Sequence, residues 1–167
     1  DSLDWLERLI WRHVAEAEGK DDIEGFGYGK GYVKAAEVLS GTLELLNRLR
    51  TNRGMIVICT AHTQIRKIED PLSEAYDRHT IKLHKAAGAV VQEWADVVAY
   101  ARVKSYVTAE DQGFGRKRAR AIGTGERVLC LDSTPAYEAK NRYSMPHEVP
   151  MTWADFEAAA RGLRDGT

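Results

Sequence analysis

The sequence predicts an α/β fold in which amphipathic helices alternate with apolar, β-branched strands, closed by an antiparallel hairpin and a final helix. Three observations predict it. Leu3, Leu6, Ile10 and Val14 recur at helical spacing. Residues 55–61 (MIVICTA) form a continuous apolar run of the kind buried on both faces of a parallel sheet. Residues 116–122 and 127–131 flank a Gly-Thr-Gly triplet, the strongest hairpin signal in the chain.

The first helix is expected over residues 2–17, with Asp1 or Ser2 capping its first turn and Gly19 ending it. A second helix is expected over about residues 32–50, with Ala36, Leu39, Leu43, Leu46 and Leu49 on one stripe and Glu37, Glu44 and Arg48 on the wet face. The glycine-rich residues 20–31 between them read as a mobile loop. After the stop signal at 51–54 comes the apolar strand 55–61, then a long polar connection, residues 64–85, also read as mobile. Residues 85–94 suit a helix and 95–103 a strand, followed by the hairpin. A proline-containing loop leads to Thr152, which is placed to cap a last helix ending near Leu163. One domain covering residues 1–167 is the expectation.

Composition narrows the function classes. The formal net charge of −1 conceals a basic run at 113–120 and an acidic one at 16–24, so an anionic partner would meet a local patch. Cys59 and Cys130 each sit in an apolar run, which suggests buried reduced thiols in the cytoplasm. No Cys/His cluster has zinc spacing, and no apolar run is long enough to span a bilayer. Asp1 is not a methionine and no strand precedes it, so the chain is read as a piece of a longer protein.

The glycine loop offers Gly29-Lys30, the end of a phosphate-binding G-x-x-x-x-G-K-[ST]. It fails as one, because Glu24 stands at the first position and Gly31 where a hydroxyl is needed. Asp1 has an ordinary reading as a helix cap. It has a sharper one as the carboxylate ending a core strand, where magnesium-bound phosphates sit in parallel α/β sheets. His62, just past the 55–61 run, is either a satisfied polar residue or a group facing the same site. There it would donate a hydrogen bond to a terminal phosphate, and Gln64 is the second candidate for that role.

Several segments together resemble the phage-encoded, AAA-type, RecA-like P-loop ATPases: DSLDWLE at 1–7, GYGKGY at 27–32, ICTAHT at 58–63, YDRHTIKLH at 76–84, WADVV at 94–98 and AKNRY at 139–143. The resemblance spans nearly the whole chain. It implies a partial RecA-like core in a protein of the single-strand annealing branch, beginning at its Walker B aspartate. ATP and Mg2+ are the implied cofactors, with Asp1 holding the metal through water and His62 as the polar sensor. The implied partners are single-stranded DNA, further copies of the chain in a ring or filament, and a single-strand binding protein; the setting is the cytoplasm of a bacterial host.

In such proteins Lys30 would lie in a first DNA-binding loop, and Arg66, Lys67, Arg78, Lys82 and Lys85 in a second. Lys140 and Arg142 would reach the nucleotide of a neighbouring subunit. Two other readings stand beside this one: a nucleic-acid-binding or annealing module without nucleotide turnover, and another RecA-like phage motor such as a helicase or packaging ATPase. For the basic residues, a solvated loop and surface ion pairs are the ordinary alternatives.

Overall fold

The computed structural model describes residues 2–72, 74–111 and 117–162, with backbone alone at 106–111 and 117–124. The chain divides into two compact units, Asp1–Ala95 and Asp96–Thr167, and each has its own core.

In the first unit, α1 (Leu3–Ala17) buries Leu3, Ile10 and Val14, as the periodicity requires. It ends in a Schellman arrangement. Gly19 takes φ +61°, and the Gly19 and Lys20 N–H groups donate back to Glu16 and Ala15. Within the 20–31 segment, Ile23–Phe26 forms a 3-10 turn capped by the Asp22 carboxylate. Gly31 opens α2 (Lys30–Arg53) against this turn, where a Cβ would lie 2.4 Å from the Ile23 carbonyl oxygen. Only glycine allows that approach.

Along α2, Ala36, Leu39 and Leu43 are buried as expected, while Leu49 is exposed. Gly54, with φ +64°, stops the helix. Helix α3 (Lys85–Trp94) packs Ala87 and Val91 into the same core, and its Trp94 indole donates to Asn47 of α2 at 3.0 Å. Fully burying a leucine such as Leu39 or Leu43 contributes about 1.5–3 kcal/mol.

Two expectations fail here. Residues 55–61 form no strand and pair with none among the described residues. Met55, Ile56, Ile58 and Cys59 are exposed, so the predicted burial of this strand and of the Cys59 thiol is corrected. An apolar β-branched run records the preference of its side chains and cannot supply the neighbouring strands that burial needs. Beyond it, much of the predicted polar connection is a hairpin. β1 (Thr63–Ile68) pairs antiparallel with β2 (Tyr76–Ile81), from Thr63 opposite Ile81 to Ile68 opposite Tyr76. Its side chains alternate between exposed and half-buried, and the charged ones mask the strand signal.

In the second unit, β3 (Val97–Val98) bridges to β6 (Lys140–Asn141). A three-stranded sheet has the order β4 (Tyr100–Asp111), β5 (Lys117–Cys130), β7 (Glu148–Pro150). The predicted hairpin centred on residues 123–125 is replaced by the single strand β5, paired along its length with β4. Gly125 has φ +78°, and the register shifts between Val103 and Ser105. The Gly-Thr-Gly triplet therefore makes a bulge, which asks for the same backbone freedom as a turn.

Val128, Cys130 and Leu131 are fully buried. Thr152 caps α4 (Trp153–Arg161) through the Asp155 N–H, as expected. Leu163 and Arg116, which bound the predicted last helix and hairpin, lie outside the described residues. The architecture is thus mixed α/β with small sheets, and every ladder among the described residues is antiparallel. The parallel pairs expected from the sequence are not among them. No helix among the described residues is long and apolar enough to cross a membrane.

Candidate functional site

The head of α1 carries two buried carboxylates that an amphipathic pattern would not place there. Asp4 and Glu7 are 7% and 5% exposed. They lie one turn apart on a single helix face, and each clamps a different segment of the first unit.

Asp4 holds the end of the 55–62 segment. Its Oδ1 accepts the His62 N–H at 3.2 Å, and its two oxygens lie 3.1 and 3.0 Å from the His62 Nδ1. Alongside, the Leu3 N–H donates to the Thr60 carbonyl at 2.9 Å. Burial works against the Asp4 charge, but the His62 backbone N–H, then the nearby Ser2 hydroxyl and the His62 ring, outweigh it and hold the carboxyl at about 2. The helix N-terminus favours the same charge.

Glu7 holds the start of α3. Its two oxygens accept the His84 N–H at 2.9 and 3.2 Å. Here burial dominates and raises the carboxyl above its usual range; the neighbouring Asp4 charge adds to this, and the His84 N–H, Arg66 and Arg8 oppose it. The His84 Nδ1 accepts the Ala86 N–H at the N-terminus of α3, and its ring stacks on Tyr32 with centroids 4.1 Å apart. Burial, then the charges of Lys85 and Arg66, depress the His84 pKa.

Between the clamps lies a polar cleft of about 250 Å³, lined among others by Asp4, Glu7, Arg8, Gln64, Arg66 and Lys82. A second, larger pocket of about 550 Å³, also open to solvent, is lined by Ser2, Trp5, Thr60, Ala61 and His62. The side-chain amide of Gln64 donates to the Ile81 carbonyl at 3.1 Å, and the Arg66 guanidinium to that of Leu83 at 2.5 Å. The Lys82 N–H donates to the His62 carbonyl at 2.9 Å.

The structure brings His62, Gln64, Arg66 and Lys82 of the anticipated residues together around these cavities. Lys67 lies on β1 opposite Asp77, and Arg78 on β2 opposite Arg66. Lys85 and Lys30 open α3 and α2. Asp1 lies outside the described residues, so its expected neighbourhood with His62 has no description. Lys140 and Arg142 belong to the second unit: Lys140 stands opposite Val98, and Arg142 pairs with Asp96 at 3.1 Å.

Sequence reasoning missed Asp4, Glu7 and His84. A signal for Glu7 existed, since it occupies a core position in the stripe Leu3, Glu7, Ile10, Val14. No phosphate-cradling G-x-x-x-x-G-K-[ST] occurs in the 167 residues. Among the described residues no group of three or more His, Cys, Asp or Glu side chains is placed to hold a metal.

A family model described as an AAA domain matches residues 1–143. No curated protein and no solved structure matches at a significant level.

Proposed function

Since the chain belongs to the AAA domain family, a family of nucleotide-binding P-loop ATPases, we propose that it serves a RecA-like phage protein that hydrolyses ATP with Mg2+ and acts on single-stranded DNA in recombination or annealing. One observation carries the reading. The His62 ring is clamped by Asp4 at the head of α1 and lines an open pocket there, which suits a residue reporting on a ligand in that pocket. Bound Mg-ATP would supply the phosphoanhydride, with Asp1 proposed as the metal's carboxylate. The phosphate cradle is not among these residues, so their own contribution is to hold His62 and to join it to the β1–β2 hairpin.

The DNA-facing side of the proposal draws on that hairpin. Arg66 and Arg78 are directly opposed across it; like charges so placed cost stability, which a bound phosphate offsets. Lys67, Lys82 and Lys85, with Lys30 at the start of α2, extend the cationic set. Lys140 and Arg142 are proposed to act on the nucleotide of a neighbouring copy in a ring or filament. For Arg142 this means leaving Asp96, and an exposed pair of that kind is worth about 0–1 kcal/mol. The second reading, an annealing module without turnover, uses the same cations.

The test is ATP hydrolysis by the full-length polypeptide with and without single-stranded DNA. Magnesium-dependent turnover stimulated by DNA is expected. DNA binding with no turnover transfers the case to the annealing module, and loss of both sinks the proposal.

A further inference from the structure

The Asp4–His62 pair allows a more specific statement, which rests on the reading of His62 as the residue facing the ligand. An ionised carboxylate can only accept hydrogen bonds. Asp4 is buried and accepts the His62 N–H at 3.2 Å, while both of its oxygens lie within 3.1 Å of the His62 Nδ1. The hydrogen of the neutral imidazole must therefore sit on Nδ1. The opposite nitrogen, Nε2, then carries the lone pair and has no hydrogen-bond partner among the described residues. The His62 side chain is 63% exposed and lines the open pocket with Ser2, Trp5, Thr60 and Ala61.

We propose that Asp4 is a positioning residue. It locks His62 in the Nδ1–H tautomer, so that Nε2 meets the pocket as a hydrogen-bond acceptor and takes a donor such as an ordered water. The direct bond to an unprotonated phosphate oxygen expected from the sequence would require the neutral ring to carry its hydrogen on Nε2, and the clamp prevents this. Ring orientation is fixed as well. The His62 main chain is tied on both sides, its N–H to Asp4 and its carbonyl to the Lys82 N–H at 2.9 Å, so the imidazole has no adjustment left except rotation away from the carboxylate. The Gln64 side-chain NH2 is engaged with the Ile81 carbonyl, so it does not supply the donor expected of it from the sequence.

The test is a long-range proton–nitrogen NMR spectrum of the full-length polypeptide with labelled histidine, assigned by the loss of one signal in His62→Gln. The proposal expects a protonated-type Nδ1 and an unprotonated-type Nε2 at His62 in the wild type. In Asp4→Asn, whose amide can donate to Nδ1, it expects a mixed or reversed pattern. With it, kcat for ATP should fall by about 10- to 100-fold, the scale for losing a group that orients a functional histidine, while KM stays unchanged. An Nε2–H tautomer in the wild type, a pattern unaltered by Asp4→Asn, or an altered pattern with unchanged kcat would each overturn it. A wild-type protein that shows the Nδ1–H tautomer but hydrolyses no ATP refutes instead the ATPase reading on which the proposal rests.

Discussion

Acidification probes the Asp4 clamp with a magnitude set by the structure. The Asp4 carboxyl stands at about 2 against an ordinary 3.8. The folded state therefore binds this proton less tightly than the unfolded chain does. The resulting stabilisation is fully present above pH 3.8 and is lost as pH falls through about 2. At about 1.36 kcal/mol per pH unit, the gap between 3.8 and about 2 corresponds to about 2.5 kcal/mol. Glu7 has the opposite sign. Its folded pKa is raised above 4.5, so its charge opposes folding at neutral pH, and that penalty is relieved as pH falls through the folded value towards 4.5. Stability should thus rise slightly on mild acidification and then drop. Urea unfolding followed by tryptophan fluorescence measures this in a Trp153→Phe background, which leaves Trp5, Trp11 and Trp94, all in the first unit. The advantage of wild type over Asp4→Asn should shrink by about 2.5 kcal/mol between pH 5 and pH 1. Stability curves that stay parallel over that range would refute the reasoning.

Gly31→Ala should destabilise the first unit by roughly 1–3 kcal/mol, because its Cβ would meet the Ile23 carbonyl at 2.4 Å. Gly41→Ala, on the same helix with nothing within 4 Å, should stabilise by about 0.4–1 kcal/mol; equal effects in thermal unfolding would contradict the packing described. Thr152→Ala should cost about 0.5–2 kcal/mol by removing the cap of α4, read as unfolding of the second unit through Trp153. Neutralising Lys82 and Lys85 should weaken single-stranded DNA binding and reduce its log–log salt slope by up to about 1.4, at roughly 0.7 for each phosphate contact. An unchanged slope would remove both lysines from the proposed interface.

What the sequence made legible was local. Helical periodicity, the glycine stops at Gly19 and Gly54 and the Thr152 cap are encoded within a few residues, and all are present. The failures involve partners. Residues 55–61 have the composition of a core strand but pair with none of the described strands. Gly123–Gly125 signals positive φ, and only the long pairing with β4 decides between a turn and a bulge. His62 was noticed because it ends an apolar run. Asp4 was not, because an acid in the first turn of a helix already has an ordinary electrostatic reason to be there, and its partner lies 58 positions away. For α4 the Thr152 cap was the signal, and it is local enough to be read without any partner.

The two clamps make a chain of polar bonds whose breakage can be followed. Asp4 holds His62, the His62 carbonyl takes the Lys82 N–H at the end of the hairpin, and two residues later the His84 N–H is held by Glu7. Met55, Ile56, Ile58 and Cys59 are exposed, so apolar packing before His62 is thin and its position depends on polar bonds, the Leu3 N–H to the Thr60 carbonyl and above all the Asp4 clamp. Glu7 holds His84 beside the buried Leu83, where the core itself resists movement. Asp4→Ala should therefore speed amide exchange at His62 and Lys82 by about tenfold or more, the factor for losing about 1.4 kcal/mol of local protection, and leave His84 nearly unchanged. Glu7→Gln keeps an acceptor for the His84 N–H and should disturb neither. If Asp4→Ala accelerates all three amides equally, the head of α1 opens as one cooperative unit with the hairpin, and the two carboxylates do not act as separate clamps.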